Sequence, residues 1–271
     1  MFVLLAALQV QARKKPLHNY FGIAPELRSA QKKPAVVKDE GDGYYPHSVV
    51  KLNLTQLAIL NLSLQYEFAF HKNISVAIGV SRFLPHPFPG LFTKDDPSGE
   101  GLRDAKFSGT SITPEFRFYP GRKQKHKAPH GFYLALYLRY ATYTLSSQYY
   151  NIYNNQNYGY DVSATYKGVN GGLMLGYQWI IAKHVSLDFW ILGGGFGQAK
   201  FNLTANSQGV SLSPDQQNQV KQAVYDEMLQ AKFLNASDPV ITTTDHSVQA
   251  SMSGLPMASL RGLGLCLGIA F

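Results

Sequence analysis

The sequence predicts an all-β protein: an eight-stranded antiparallel transmembrane β-barrel with short periplasmic turns, long external loops and one short loop helix. Three observations carry this. First, the 271 residues are 15% charged and 13% aromatic, with 17 Tyr, 16 Phe and 24 Gly, against roughly 25% charged in an average soluble domain. Second, from residue 48 onward the dominant hydrophobic period is two. Third, short and long connections alternate between the strand-like runs. The length admits one large β domain or two ordinary ones. The lone cysteine, Cys266, excludes an internal disulfide and a cysteine-rich zinc site, and no apolar run reaches the ~20 residues of a membrane-spanning helix.

Residues 1–12 read as a truncated signal peptide. Phe2 to Leu8 is apolar and Val10-Gln11-Ala12 has the small-residue ending of a cleavage site, although the basic n-region is missing. The competing reading is a frayed apolar terminus. Residues 13–47, rich in Lys and punctuated by Pro16, Pro25 and Pro34, form a flexible basic periplasmic leader, with a short helix near Pro25–Gln31 as an option. The barrel occupies 48–271.

Eight alternating runs follow, each with apolar side chains on one parity. The first carries Val50, Leu52 and Leu54. The second carries Leu62, Leu64, Tyr66, Phe68 and Phe70, and the third Ile74, Val76, Ile78 and Val80. The fourth sets Ile112, Phe116 and Phe118 outward, with Pro114 on the same face predicting a bulge. The fifth has Phe132, Leu134, Leu136 and Leu138; the sixth Leu173, Leu175, Tyr177 and Trp179; the seventh Val185, Leu187, Phe189 and Ile191. The last has Leu263, Leu265, Leu267, Ile269 and Phe271.

Parity separates outside from inside. The apolar faces hold no Lys, Arg, Asp or Glu, whereas the opposite faces hold Gly, Ala and Ser in bulk. An uncharged apolar band around the molecule is an aggregation hazard in water and the required coat in lipid. Turns at 71–73 and 181–184 are short, the linker at 121–130 is basic, and the connections at 84–106, 145–162 and 203–257 are long. Short turns on one side and long loops on the other are the pattern of outer-membrane barrels, and an even strand count leaves both termini in the periplasm.

At Phe271 the chain resembles bacterial outer-membrane barrels, whose last strand ends in Phe as an assembly signal. The stretch Lys51 to Phe83 with Leu64-Gln65-Tyr66-Glu67, the run Pro114-Glu115-Phe116-Arg117-Phe118-Tyr119, and Gly171 to Trp179 resemble an uncharacterised (domain-of-unknown-function) family of small eight-stranded outer-membrane β-barrels of Gram-negative, Bacteroides-like bacteria. The resemblance implies location and fold, and no activity. It makes outer-membrane lipid, lipopolysaccharide and the barrel-assembly machinery the expected partners of a monomer in the bacterial outer membrane.

The candidate site is the lumen. Lys51, Glu67, Glu115, Arg117, Arg139 and Asp188 fall on the polar face, three cations against three anions. Buried charges are tolerated when paired and hydrogen-bonded, so these residues predict a salt-bridged plug. Glu67 with Glu115 as an acid–base pair is the catalytic alternative. The 8 histidines lack metal-ligand spacing on any strand face, and Gly193-Gly194-Gly195-Phe196-Gly197 lacks the Lys-Ser/Thr of a phosphate loop. No cofactor, metal or catalytic residue is expected.

Two loops carry further candidates. Tyr149, Tyr150, Tyr153, Tyr158 and Tyr160 are either recognition contacts or an aromatic girdle at the membrane surface. In the loop at about 204–257, Ser213-Pro214-Asp215 opens an amphipathic helix through Val220, Val224 and Met228. It is placed at the barrel mouth rather than on lipid because it lacks a strongly basic polar face. The formal charge of +8 is concentrated in the leader and in Arg122-Lys123-Lys125-Lys127, where it suits anionic head groups or cell-wall material. No nucleic-acid motif accompanies it. The expected function is envelope structure or surface recognition through the external loops, with a lipid-modifying enzyme or a narrow pore as alternatives.

Overall fold

The computed structural model describes residues 45–87, 101–120, 127–153, 156–209, 211–230 and 236–271. The chain divides into two compact units, Met1–Gly43 and Tyr44–Phe271. The first unit, with the signal-peptide segment and most of the leader, lies outside the described residues, as do the basic residues Arg122, Lys123 and Lys125.

The second unit is all-β with two helices. Its elements are β1 (Ser48–Asn53), α1 (Leu54–Leu57), β2 (Asn61–His71), β3 (Ile74–Pro87), β4 (Gly101–Phe118), β5 (Gly131–Tyr153), β6 (Gln156–Ile181), β7 (Val185–Ser207), α2 (Pro214–Gln230), β8 (Val240–Thr243) and β9 (Ser247–Ala270). Each strand of the sequence β1 to β7 pairs antiparallel with the next, β7 pairs with β9, and β9 returns to β1. Eight strands therefore close a ring, and β8 is an extra short strand on the upper part of β9. At the seam Ser48 and Phe271 exchange two backbone hydrogen bonds of 2.9 Å. The seam and the ends of β2, β4 and β6 form the lower end; α1 and the ends of β3, β5 and β7 lie at the upper end. Among the described residues no helix is long and apolar enough to cross a membrane.

In the lower ring the large apolar residues point outward. Val50, Leu64, Ile78, Phe116, Leu136, Leu173, Val185 and Ile269, one from each strand, are 42–68% exposed. A paired row crosses Leu64, Val80, Ile112, Tyr140 and Val169 on successive strands. Two residues higher, the paired row reads Arg82, Thr110, Thr142, Lys167, Lys200 and Ser253. The outer surface turns from apolar to cationic and polar within that step.

Above this row the strands differ from expectation. β5, β6, β7 and β9 run for 23, 26, 23 and 24 residues, while β1 and β2 have 6 and 11. The segment expected as an external loop at 145–162 is strand at 145–153 and 156–162, and the one at 204–257 holds the end of β7, α2, β8 and the upper part of β9. The reason is a second alternation with the sides exchanged. Outside are Ser146, Asp161, Lys167, Lys200 and Gln249, all exposed. Inside, Ala141, Ala199, Ile241, Val248, Ala250, Met252, Leu255 and Met257 are buried, with Tyr166, Phe201 and Leu203 packed against them. Helix α2 lies on this inner face through Val220, Val224, Tyr225 and the buried Met228. Its N-terminus is capped as the sequence implies, with Gln216 N–H donating to Ser213 Oγ at 3.4 Å and Gln216 Oε1 accepting from Ser213 N–H at 2.9 Å.

Two smaller expectations are corrected. Pro114 produces no bulge: it pairs with Ile78, and the β4–β5 register is the same on either side of it. The ladder to β5 instead skips Thr113 and Pro114, because Pro has no N–H to donate. Leu54 leaves the first run to open α1, whose cap is Asn53, its side chain accepting from Gln56 N–H at 2.8 Å.

Candidate functional site

The inward parity of the lower ring gathers charge. Lys51 on β1, Glu67 on β2, Glu115 and Arg117 on β4 and Asp188 on β7 are all buried and meet in one layer. Lys51 Nζ lies 2.5 Å from Glu67 Oε2 and 2.7 Å from Asp188 Oδ2. Arg117 spans the layer: Nη1 donates to Glu67 Oε2 at 3.1 Å and to Asp188 Oδ2 at 2.8 Å, and Nη2 reaches Glu115 Oε2 at 2.7 Å.

Arg139 does not join this layer. It lies one inward step above Tyr137, which pairs with Glu115, and its Nη2 donates to Tyr143 Oη at 3.2 Å. The third cation is Arg261 on β9, whose Nη1 donates to Glu115 Oε1 at 2.7 Å. The outward parity of Leu263 to Phe271, continued upward, puts Arg261 on the outer face. Leu263, with φ of 51°, and the facing Ile191 are both skipped by the β7–β9 ladder without a change of register. This bulge shared by the two strands exchanges the faces of both and turns Arg261 inward. Thr55 stabilises that bulge, its hydroxyl accepting from Leu265 N–H at 2.9 Å and lying 3.3 Å from Leu263 O. The legible signal was an arginine standing as the one charge in 252–271, between serine and leucine on one side and Gly262 on the other.

Three cations and three anions thus cancel, and neutral groups satisfy what remains. Glu67 Oε1 accepts from Ser75 Oγ and from Tyr119 Oη at 2.6 Å. Asp188 Oδ1 accepts from Tyr133 Oη at 2.8 Å. Gln178 Oε1 accepts from Lys51 at 3.0 Å and Arg117 at 3.3 Å, and its amide donates to Ser186 at 3.2 Å. Arg117 lies 4.4 Å over the Tyr133 ring, and Arg261 lies 4.3 Å over Trp190 and 4.9 Å over Tyr137. Such stacking suits the weakly hydrated guanidinium.

The glycines of the inner face make room for these rings. A Cβ on Gly176 would stand 2.4 Å from Tyr133 Oη, and one on Gly264 would stand 2.6 Å from the Trp190 ring. Small residues on β6 and β9 are thus the spaces into which β5 and β7 project aromatics. Tyr119, Tyr133 and Gln178 belong to the site by geometry; sequence marked them as polar-face residues at most.

The remaining candidates are placed as follows. Phe271 is 51% exposed at the lower seam. Tyr149, Tyr150 and Tyr153 lie on β5 and Tyr158 and Tyr160 on β6, with Tyr149 paired to Tyr160 and Asn151 to Tyr158, so these are hairpin residues and not loop residues. Among the described residues no group of three or more His, Cys, Asp or Glu could hold a metal ion.

A search of the curated proteins and a search of the solved structures each returned no significant match. A family model matches residues 36–222, which take in β1 through β7 and the first half of α2. With 187 of 271 residues inside that match, the chain belongs to the family described as protein of unknown function (DUF3575).

Proposed function

We propose that this chain is a β-barrel of the bacterial outer membrane, its lumen closed by side chains, serving envelope structure or surface recognition through the sheet that rises above the ring. The observation that carries the reading is the exchange of polarity along the same strands. Lower down, apolar side chains face out around the whole ring; above the Arg82–Lys167–Lys200 row they face in. An exposed apolar belt belongs to lipid, and a polar exterior belongs to water. The 11 residues of β2 match the about 9–11 a tilted transmembrane strand needs. Cations without acidic neighbours in the boundary row suit phosphate-bearing head groups such as those of lipopolysaccharide.

The function follows from what the two parts offer. The ionic layer fills the ring where a pore would pass, and each of its carboxylates is held by at least one cation, which favours a fixed plug over proton transfer. The upper wall includes the tyrosine-rich β5–β6 strand pair, and tyrosine is a residue type that gives contact area at low entropic cost. Phe271, which follows β9 at the seam, is the proposed signal to the assembly machinery.

The test is membrane fractionation with heat-modifiable gel mobility, together with brominated-lipid quenching of Trp179, which is 39% exposed on the outer face. Outer-membrane recovery and strong quenching are expected; a monodisperse, detergent-free soluble protein overturns the reading. Deleting Phe271 is expected to reduce folded protein in outer-membrane fractions, whereas replacing Phe201 in the upper wall leaves more. A steady, large conductance in planar bilayers favours the pore instead, and hydrolysis of labelled lipid A or phospholipid favours the enzyme.

A further inference from the structure

Directly above the ionic layer lies a small polar cavity of about 20 Å³, lined by side chains from β2, β3, β4, β5, β7, β9 and α1. Its charged members are Arg139 and Arg261, and Trp190 forms part of its wall. Around them stand the hydroxyls of Ser63, Ser111 and Thr113. No Asp or Glu lines it.

Three N–H groups here have no protein acceptor: Arg139 Nε, Arg261 Nε and Trp190 Nε1. Trp190 and Arg261 are 4% and 7% exposed, so water outside the ring does not serve them. A buried donor left unsatisfied costs about 1–3 kcal/mol, more when charged, and three on one small cavity call for an acceptor inside it. The charge count points the same way. Arg261 is neutralised through Glu115, but Arg139 has no carboxylate partner among the described residues, which leaves one cation in excess among the described charges of the ionic layer and the cavity. The two guanidinium groups repel one another. One monovalent anion between them would satisfy the donors and cancel that charge.

Size narrows the class. A water-sized occupant needs about 10–15 Å³ by this measure, so about 20 Å³ admits one small ion and excludes phosphate, sulfate and carboxylates. Above the cavity Phe83, Phe107 and Tyr143 cluster with ring centroids 5.4–6.3 Å apart, Phe107 stacked on Tyr143 and Phe83 edge-on to Phe107, and Tyr143 is the residue that accepts from Arg139. This aromatic cover limits water, which strengthens attraction between a cation and an anion beneath it.

The geometry points to a single halide-sized anion site, chloride under ordinary conditions, formed by Arg139, Arg261 and Trp190 inside the ring. It depends on the interior alone and holds whether or not the outer face meets lipid.

Trp190 reports on it directly, because bromide and iodide quench indole fluorescence. The probe is bromide added to the folded full chain carrying Trp179→Phe, which leaves Trp190 as the one tryptophan, in gluconate buffer at constant ionic strength. The expected result is saturable quenching that chloride competes away. Arg139→Gln is expected to weaken the bromide midpoint by about tenfold or more. Where Arg139→Gln does not fold, Ser111→Val in the same wall is expected to weaken it by a smaller factor. Quenching that is linear in bromide, indifferent to chloride, or unchanged in the folded variants overturns the site and leaves water as the occupant. A bromide anomalous peak in crystals, at the cavity or away from it, decides independently.

Discussion

The lower ring and the upper wall are built from the same strands with opposite instructions. On β5, Leu136 faces out and Tyr137 faces in; nine residues on, Ser146 faces out and Leu145 lies on the inner side. On β9 the outward residues are Leu267 and Ile269 below and Gln249 and Ser253 above. The backbone alternation is common to both regions, so the difference lies in what surrounds each. The ring carries its charge inside and its hydrocarbon outside, and the wall keeps hydrocarbon inside against α2. Period two therefore specifies a strand, and only the sign of the alternation specifies the surroundings.

The largest expected effect breaks the ring from within. Arg117→Ala removes the one side chain that contacts Glu67, Glu115 and Asp188 together, and stranding a buried charge costs about 3–5 kcal/mol. Thermal unfolding followed by heat-modifiable mobility is expected to show a clear loss, with some gain of ion conductance; unchanged stability removes Arg117 from the network.

A matched pair of outer-face substitutions tests the contrast itself. Leu136→Arg places a charge at a position 58% exposed in the apolar belt, with an expected cost of about 2–4 kcal/mol in lipid. Ser146→Arg, on the same strand in the wall, is expected to stay within about 0.5 kcal/mol. Denaturant titration of both variants in vesicles measures the difference, and equal costs would remove the boundary.

Space comes next. Gly176→Ala pushes a methyl group against the Tyr133 ring, which is pinned under Arg117 and bonded to Asp188. Overpacking of this kind costs about 1–3 kcal/mol; a far smaller shift in the unfolding midpoint means the ring can retreat. The smallest effect is expected from Thr55→Val. It removes the hydroxyl that meets the Leu263 bulge, a hydrogen bond worth about 1 kcal/mol, and hydrogen exchange at Leu265 is the local measure.

All eight ring strands were legible because each repeats large apolar side chains on one parity, from two in β1, Val50 and Leu52, to five in Leu62 to Phe70. So were Lys51, Glu67, Glu115, Arg117 and Asp188, which are charges on the opposite parity of those runs. The wall was read as loop because its alternation is carried by Ala, Thr, Ser and Gln, whose contrast in hydropathy is slight, and because its sign is reversed. Arg261 was missed for a different reason. Parity is countable only between bulges, and the bulge at Leu263 meets Thr55, more than two hundred residues away in sequence. The cavity at Arg139 was equally hidden, since it takes lining residues from six strands and α1.

The seam also bears on the order of folding. Val49 pairs with Ala270 and Asn53 with Cys266, contacts at nearly the greatest sequence separation this chain allows. Loop-closure entropy makes such pairings late events, so β2 to β7 can form hairpin by hairpin while the ends remain apart. Until they meet, Lys51 stays beside Glu67 on the neighbouring strand but is parted from Asp188 on β7. The open sheet then exposes a strip of hydrated acid along its inner surface. Closure converts that strip into a dry neutral layer in a single step, so the last pairing made is also the one that commits the ring to staying shut.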